Sequence, residues 1–146
     1  MRKLVEALEF CVFDLETTGL DPEAGAEPIE AGAVRVETGR VTETFQSFAC
    51  PRGEIPGEVQ GLTGISPADV RDAPSPPAVL GELLEFAGDS ILVAHNIDFD
   101  RSFLDVYAPR PVTNEEVDTL RMARSLVGGT DHSLDHLVGR FGLDRT

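Results

Sequence analysis

The run Phe10-Cys11-Val12-Phe13-Asp14-Leu15-Glu16 is apolar except for two acids two positions apart. In extended backbone the side chains alternate faces, so Phe13 and Leu15 enter one layer while Asp14 and Glu16 share the other. Such a segment has to lie inside a sheet, with one face in a core and a two-carboxylate claw at its end. Two anions held that close repel one another and lose solvation, which is unfavourable unless a proton or a cation sits between them. Mg²⁺ or Mn²⁺ fits the claw, because a hard divalent cation takes carboxylate oxygens together with water and substrate phosphate.

The rest of the chain supplies the covering layers. Pro28 leads into a second strand over Ile29 to Val36, Thr38-Gly39-Arg40 makes a turn, and Val41 to Ala49 reads as a third strand. Together they form an antiparallel meander. Val59 to Ile65 reads as a short helix or turn, and Ser66-Pro67 and Ser75-Pro76 each open a helix through the preference for Ser at the N-cap and Pro at the first helical position. Val79, Leu80, Leu83, Leu84 and Ala87 then form one apolar stripe, and Ile91-Leu92-Val93-Ala94 is apolar enough to be a strand buried on both faces. Asn96 is placed to cap a helix running to about Tyr107, Asp118 to Leu126 reads as another, and Ser133 caps a last one carrying Leu134, Leu137, Val138 and Phe141 before Gly142. Three strands followed by helices alternating with a strand give an α/β class with a mixed sheet, and such sheets place their sites at the ends of central strands.

With 146 residues the chain is expected to form one domain over 1–146, with an ordinary apolar share of 41%. No apolar run is long enough to cross a membrane, and Met1 to Glu6 lacks the apolar stretch of a secretory signal, so a cytoplasmic location is expected. Cys11 and Cys50 are expected as buried reduced thiols. The net charge of −14, from 26 acids against 12 basic residues, argues against loose binding to nucleic acid. It leaves room for chemistry at a phosphodiester, since bound cations carry their own positive charge to the phosphate.

A second acidic constellation, His95-Asn96-Ile97-Asp98-Phe99-Asp100-Arg101-Ser102-Phe103-Leu104, follows the apolar strand. Phe99, Phe103 and Leu104, at helical spacing, read as core anchors, as does Phe141, and they leave Asp100 in the first helical turn where it can join Asp14 and Glu16. The plainer alternative is that Asp98 and Asp100 only complement a helix N-terminus. Glu30, Asp98 and Asp118 read most simply as surface or capping acids, and Arg101 and Arg124 as solvated or paired helix residues.

These segments together carry a family resemblance. Phe13-Asp14-Leu15-Glu16-Thr17-Thr18-Gly19-Leu20 resembles the first motif of the DEDD 3′–5′ exonucleases, in the DnaQ-like branch of DNA polymerase III epsilon-type domains, and Ala94-His95-Asn96 with Phe99-Asp100 and Phe103-Leu104 resembles the second. Ile29 to Val34, Leu62 to Ile65, Asp72-Ala73-Pro74, Asp118-Thr119-Leu120 and His132-Ser133-Leu134 resemble its connecting segments in the same order. The resemblance implies a ribonuclease H-like fold: an antiparallel three-strand meander plus parallel strands, flanked by helices. It implies removal of nucleotides from a DNA 3′ end in proofreading or repair. Asp14, Glu16 and Asp100 would be catalytic acids and ligands of two Mg²⁺ or Mn²⁺ ions. Leu15, Thr17, Thr18 and Phe103 would form the substrate-binding set. Single-stranded DNA and a DNA polymerase subunit are the implied partners.

The chain departs from the family pattern at one place. The branch ends with a His followed five positions later by a fourth acid, whereas His132 has Leu137 at that spacing, His136 has Phe141, and the sequence stops at Asp144-Arg145-Thr146. The base and fourth acid are therefore unassigned, and a missing final helix is expected to cripple the domain. An inactive nucleic-acid-binding or scaffold relative, or an RNA-trimming exonuclease of the same family, is the alternative. A haloacid dehalogenase-type phosphatase would need Asp at position 16 and a later Lys, but Glu16 stands there and Lys3 is the only lysine.

Overall fold

The computed structural model describes residues 7–143. Met1 to Glu6 and Asp144 to Thr146, on which the expectations of no leader and no third motif rest, lie outside the described residues. Five strands form one sheet in the order β3-β2-β1-β4-β5. They are β1 (Glu9–Thr17), β2 (Pro28–Glu37), β3 (Arg40–Phe48), β4 (Ile91–Ala94) and β5 (Glu116–Asp118). The first three pair antiparallel, and β4 runs parallel to both β1 and β5. The expected mixed sheet and meander are thus present.

The helices are α1 (Gly57–Thr63), α2 (Pro67–Val70), α3 (Pro76–Ala87), α4 (Ile97–Tyr107), α5 (Thr119–Leu126) and α6 (Leu134–Phe141). Ser66 and Asp69 form a reciprocal capping box on α2, and Ser75 and Ser133 accept backbone N–H bonds at the starts of α3 and α6. The stripe Val79, Leu80, Leu83, Leu84 and Ala87 is buried against Cys11, Phe13 and Leu15 of β1 and Ala31 and Ala33 of β2. Each leucine removed from water there contributes roughly 1.5–3 kcal/mol. Phe103 and Leu104 of α4 close the same core. A smaller cluster of Ile29, Ile55, Ile65 and Val70 seats α1, α2 and their loops beside the sheet. No described helix is long and apolar enough to cross a membrane.

Three local expectations are corrected. Asn96 precedes α4 but lies in the left-handed region, at φ 67°, without a side-chain cap. Its N–H instead donates to Asp118 Oδ1 at 2.9 Å. Asp118 ends β5 and caps α5 from outside rather than belonging to the helix, which corrects the helix start but agrees with its reading as a capping acid, its carboxylate accepting from Leu120 and Arg121 N–H. Burial works against the charge on Asp118, but the backbone N–H groups of Asn96, Arg121, Leu120 and Ile97 together hold its carboxyl below the ordinary value. Finally, Phe141 is 57% exposed rather than a core anchor, because α6 borders an open groove. Of the two cysteines, Cys11 is buried and Cys50 half-buried, and both are free.

Candidate functional site

Alternation along β1 sends Cys11, Phe13 and Leu15 into the core and turns Val12, Asp14 and Glu16 to the other face. Past Glu16 the register with β2 shifts and the chain turns: Thr17 Oγ1 donates to Gly19 O at 2.6 Å. A Cβ at Gly19 would come within 3.3 Å of the Ala26 side chain, so glycine lets this turn close against the start of β2. Thr18 N–H donates to Glu27 O, and Thr18 Oγ1 accepts from Glu27 N–H.

Asp100 reaches the same place from the first turn of α4. It is 2% exposed, and its Oδ1 accepts the Leu15 N–H at 3.2 Å. Burial, and next the charge on Asp14, push its carboxyl from an ordinary 3.8 up to about 7, with Glu16 adding a smaller push and the Leu15 bond opposing. Asp14 opens to solvent, yet loss of hydration and, more weakly, the charge of Glu30 raise its carboxyl, against the opposing Leu15 N–H. Glu16 is raised by burial, then by Asp14 and Glu30. The three acids singled out from the sequence therefore act on one another electrostatically, as the spacing argument required.

Glu30 is the member that sequence reasoning missed. It sits directly opposite Glu16 across the β1–β2 ladder, half-buried, with Gln46 Nε2 donating to its Oε2 at 2.8 Å. Only the register of the hairpin carries that signal. Among the described residues, no three or more His, Cys, Asp or Glu side chains are gathered closely enough to hold a metal ion as they stand. The donor set nevertheless suits a hard divalent cation: all oxygen, crowded and short of positive charge.

Two grooves meet at this acidic centre. The first, of about 490 Å³, is lined by Leu15, Glu16, Thr17, Thr18, Gly19 and Leu20 on one wall and by Pro56, Glu58, Val59, Leu62 and Thr63 on the other, with Phe99 between. Leu20 and Leu62 stand 84% and 87% exposed at its rim. Of the expected substrate set, Thr17 and Thr18 lie in this groove and Leu15 reaches it while burying most of its side chain. Phe103 does not: it is 0% exposed, because helical spacing drives it into the core, and it is Phe99, tilted against it at 5.1 Å, that lines the groove. The second groove, of about 730 Å³, runs between the sheet and α6 along Val12, Asp14, Gly32, Val34, His95, Leu134, Leu137 and Phe141.

His95, which lines the second groove with Asp14, is not a free base: its Nδ1 meets Thr119 Oγ1 at 3.0 Å and its Nε2 donates to His132 O at 2.8 Å. His132 spends its Nε2 on Val127 O, and His136 stands exposed near Asp131. Arg101, a candidate phosphate contact, is paired with Asp105 and Glu116 and donates to Val112 O, which ties α4 to β5.

Comparison with known proteins gives a consistent picture. The exonuclease family RNase_T matches residues 11–146. DNA polymerase III PolC-type of Caldanaerobacter subterraneus subsp. tengcongensis is 43% identical over 121 residues, covering 81% of this chain and 9% of that protein. The PolC-type polymerase of Thermotoga maritima is 38% identical over 138 residues, covering 92% of this chain and 10% of its own length. The chain thus spans about a tenth of the length of these curated relatives. Among solved structures, exonuclease X in complex with 5′ overhanging duplex DNA superposes with a TM-score of 0.75 at 25% identity, covering 92% of this chain and 74% of that one. E. coli exonuclease I with a dT13 oligonucleotide reaches a TM-score of 0.79 at 19% identity over 94% of this chain and 37% of that one, a likeness of fold.

Proposed function

The chain belongs to the RNase_T exonuclease family, in its DnaQ-like branch, and on that premise we propose that it is a metal-dependent 3′–5′ exonuclease domain acting on single-stranded DNA ends beside a DNA polymerase. The observation that carries this reading is the convergence of Asp14, Glu16 and Asp100 from two elements, with Asp100 buried and raised to about 7. These three would hold Mg²⁺ or Mn²⁺. A bound divalent cation supplies positive charge to the scissile phosphate and acidifies an attacking water.

The protein's own part is positioning. Leu15 N–H fixes the Asp100 carboxylate, and the groove between Thr17–Leu20 and Pro56–Thr63 receives the terminal nucleotide, with Phe99 as its apolar contact. The chain's surplus of negative charge keeps duplex and bulk phosphate away except where cations or a partner bring the end in. Among the described residues no histidine beside Asp14 offers a free ring nitrogen as base, since both ring nitrogens of His95 and the Nε2 of His132 are engaged. A helix bearing a His and, five positions on, an acid would complete the site, and the groove beside Asp14 offers it an apolar seat against Val12, Val34 and Leu137.

The engaged histidines also favour a second reading, a relative that binds DNA or RNA without cutting it. The test is degradation of end-labelled single strands, DNA and RNA, with Mn²⁺, by this chain and by a form extended with the His-bearing helix. The extended form should release 5′-mononucleotides from the 3′ end, and Asp14→Ala should abolish release. Equal activity with and without the extension overturns the account of the base. Strand binding that survives Asp14→Ala, with no release by either form, selects the binding-only relative.

A further inference from the structure

Glu27 is a buried carboxylate for which the acidic centre has no use. It is 8% exposed, in the loop just before β2. Each of its oxygens accepts a backbone N–H from a distant loop: Oε1 from Arg52 at 2.9 Å and Oε2 from Gly53 at 3.0 Å. Its main chain is bound in the opposite direction, with Thr18 N–H donating to Glu27 O at 2.8 Å and Glu27 N–H donating to Thr18 Oγ1 at 2.9 Å. One residue earlier, Tyr107 donates its hydroxyl to Ala26 O at 2.6 Å, anchoring the segment to the end of α4.

The two things Glu27 joins are the two walls of the first groove. On one side stands Thr17 to Leu20; on the other, the Arg52–Gly53 loop feeds through buried Ile55 into Pro56 and α1. That loop has no regular secondary structure of its own, so the two bonds to Glu27 set its position together with the packing of Ile55 and the Cys50 N–H bond to Pro74 O. A buried carboxylate taking two N–H groups makes charge-assisted, directional bonds, and removing the N–H donors would leave the Glu27 charge buried without partners.

We propose that Glu27 is a positioning residue for the substrate: a two-pronged clamp that fixes the width of the groove holding the terminal nucleotide beside Glu16. The clamp rests on geometry alone, and its role toward a nucleotide rests on the exonuclease reading.

The experiment uses the whole chain with Mn²⁺ and deoxythymidine 5′-monophosphate as the probe. Amide hydrogen exchange in the wild type should find the Arg52 and Gly53 N–H groups protected, although both residues are exposed. Glu27→Gln keeps the shape, retains one acceptor and turns an NH₂ toward the other N–H. It should speed trypsin cleavage after Arg52 and weaken nucleotide binding by about tenfold each, the usual size for one charge-assisted bond, while Mn²⁺ affinity stays unchanged. Unprotected amides in the wild type overturn the clamp. Faster cleavage in Glu27→Gln with unaltered nucleotide affinity overturns the positioning role and leaves a structural one. If the wild type binds Mn²⁺ but no nucleotide, the exonuclease reading fails and the positioning role with it, while the exchange data still decide the clamp.

Discussion

Replacing Asp100 by Asn should stabilise the metal-free protein, and increasingly so as the pH rises. Asp100 is 2% exposed, and its carboxyl is pushed from an ordinary 3.8 up to about 7, first by burial and then by Asp14. Below the ordinary value both folded and unfolded chains carry the proton, so Asp100 costs nothing there. Between about 3.8 and 7 the folded chain keeps a proton that the unfolded chain has lost, so stability falls with rising pH. Above about 7 the loss is complete. A rise of about three pKa units corresponds to on the order of 4 kcal/mol. Asn cannot ionise, and its amide oxygen still accepts the Leu15 N–H, so Asp100→Asn removes the penalty. Urea unfolding of both proteins in a chelator, stepped from acid to mildly alkaline pH, reads the difference. It should be small near the ordinary carboxyl range and grow to on the order of 4 kcal/mol in favour of Asn above neutrality. Added Mn²⁺ should oppose that order, since an ion that binds only the native wild type at a hundred times its Kd adds about 2.7 kcal/mol. A difference that is flat with pH, or a wild type more stable than Asp100→Asn in alkaline chelator, refutes the claim that burial among acids keeps Asp100 protonated.

Two other outcomes follow from burial. Phe103→Ala should cost about 3–5 kcal/mol in thermal or urea unfolding and leave nucleotide affinity of the folded protein intact; lost affinity at unchanged stability would return Phe103 to the substrate groove. The Cys11 thiol is pushed up to about 11 by burial, against a weaker pull from Arg35, so iodoacetamide at mildly alkaline pH should label Cys50 and spare Cys11 until the chain unfolds. Native labelling of Cys11 would contradict that placement.

What could be read from the sequence was what is local. Alternation fixed the faces of β1, helical spacing fixed the buried stripe of α3, and Ser66, Ser75 and Ser133 marked helix starts, because each depends on neighbours a few residues away. Asp100 was legible for the same reason, lying in the first turn of the helix that follows an apolar strand. β5 was not, because Glu116–Asp118 is short and polar and is a strand only through pairing Leu92 with Glu116 and Ala94 with Asp118. Asn96 looked like a cap, but a carboxylate from that unseen strand takes its N–H. Glu30 looked like a surface acid because its place opposite Glu16 depends on the register of a hairpin whose loop the sequence does not dimension. Phe141 has core spacing on α6, yet no described element covers the groove it faces. Glu27 gave no signal at all, since both of its acceptor bonds reach loop residues far along the chain.

The claim that everything else depends on is that Asp14, Glu16 and Asp100 share a divalent cation. Crystals grown with Mn²⁺ and deoxythymidine 5′-monophosphate, measured for the anomalous scattering of manganese, address it directly. Manganese is expected among these three carboxylates, with the nucleotide's phosphate beside it and its base in the groove lined by Thr17, Thr18 and Phe99. A nucleotide bound there with no manganese between the acids, or manganese held elsewhere on the surface, would contradict it.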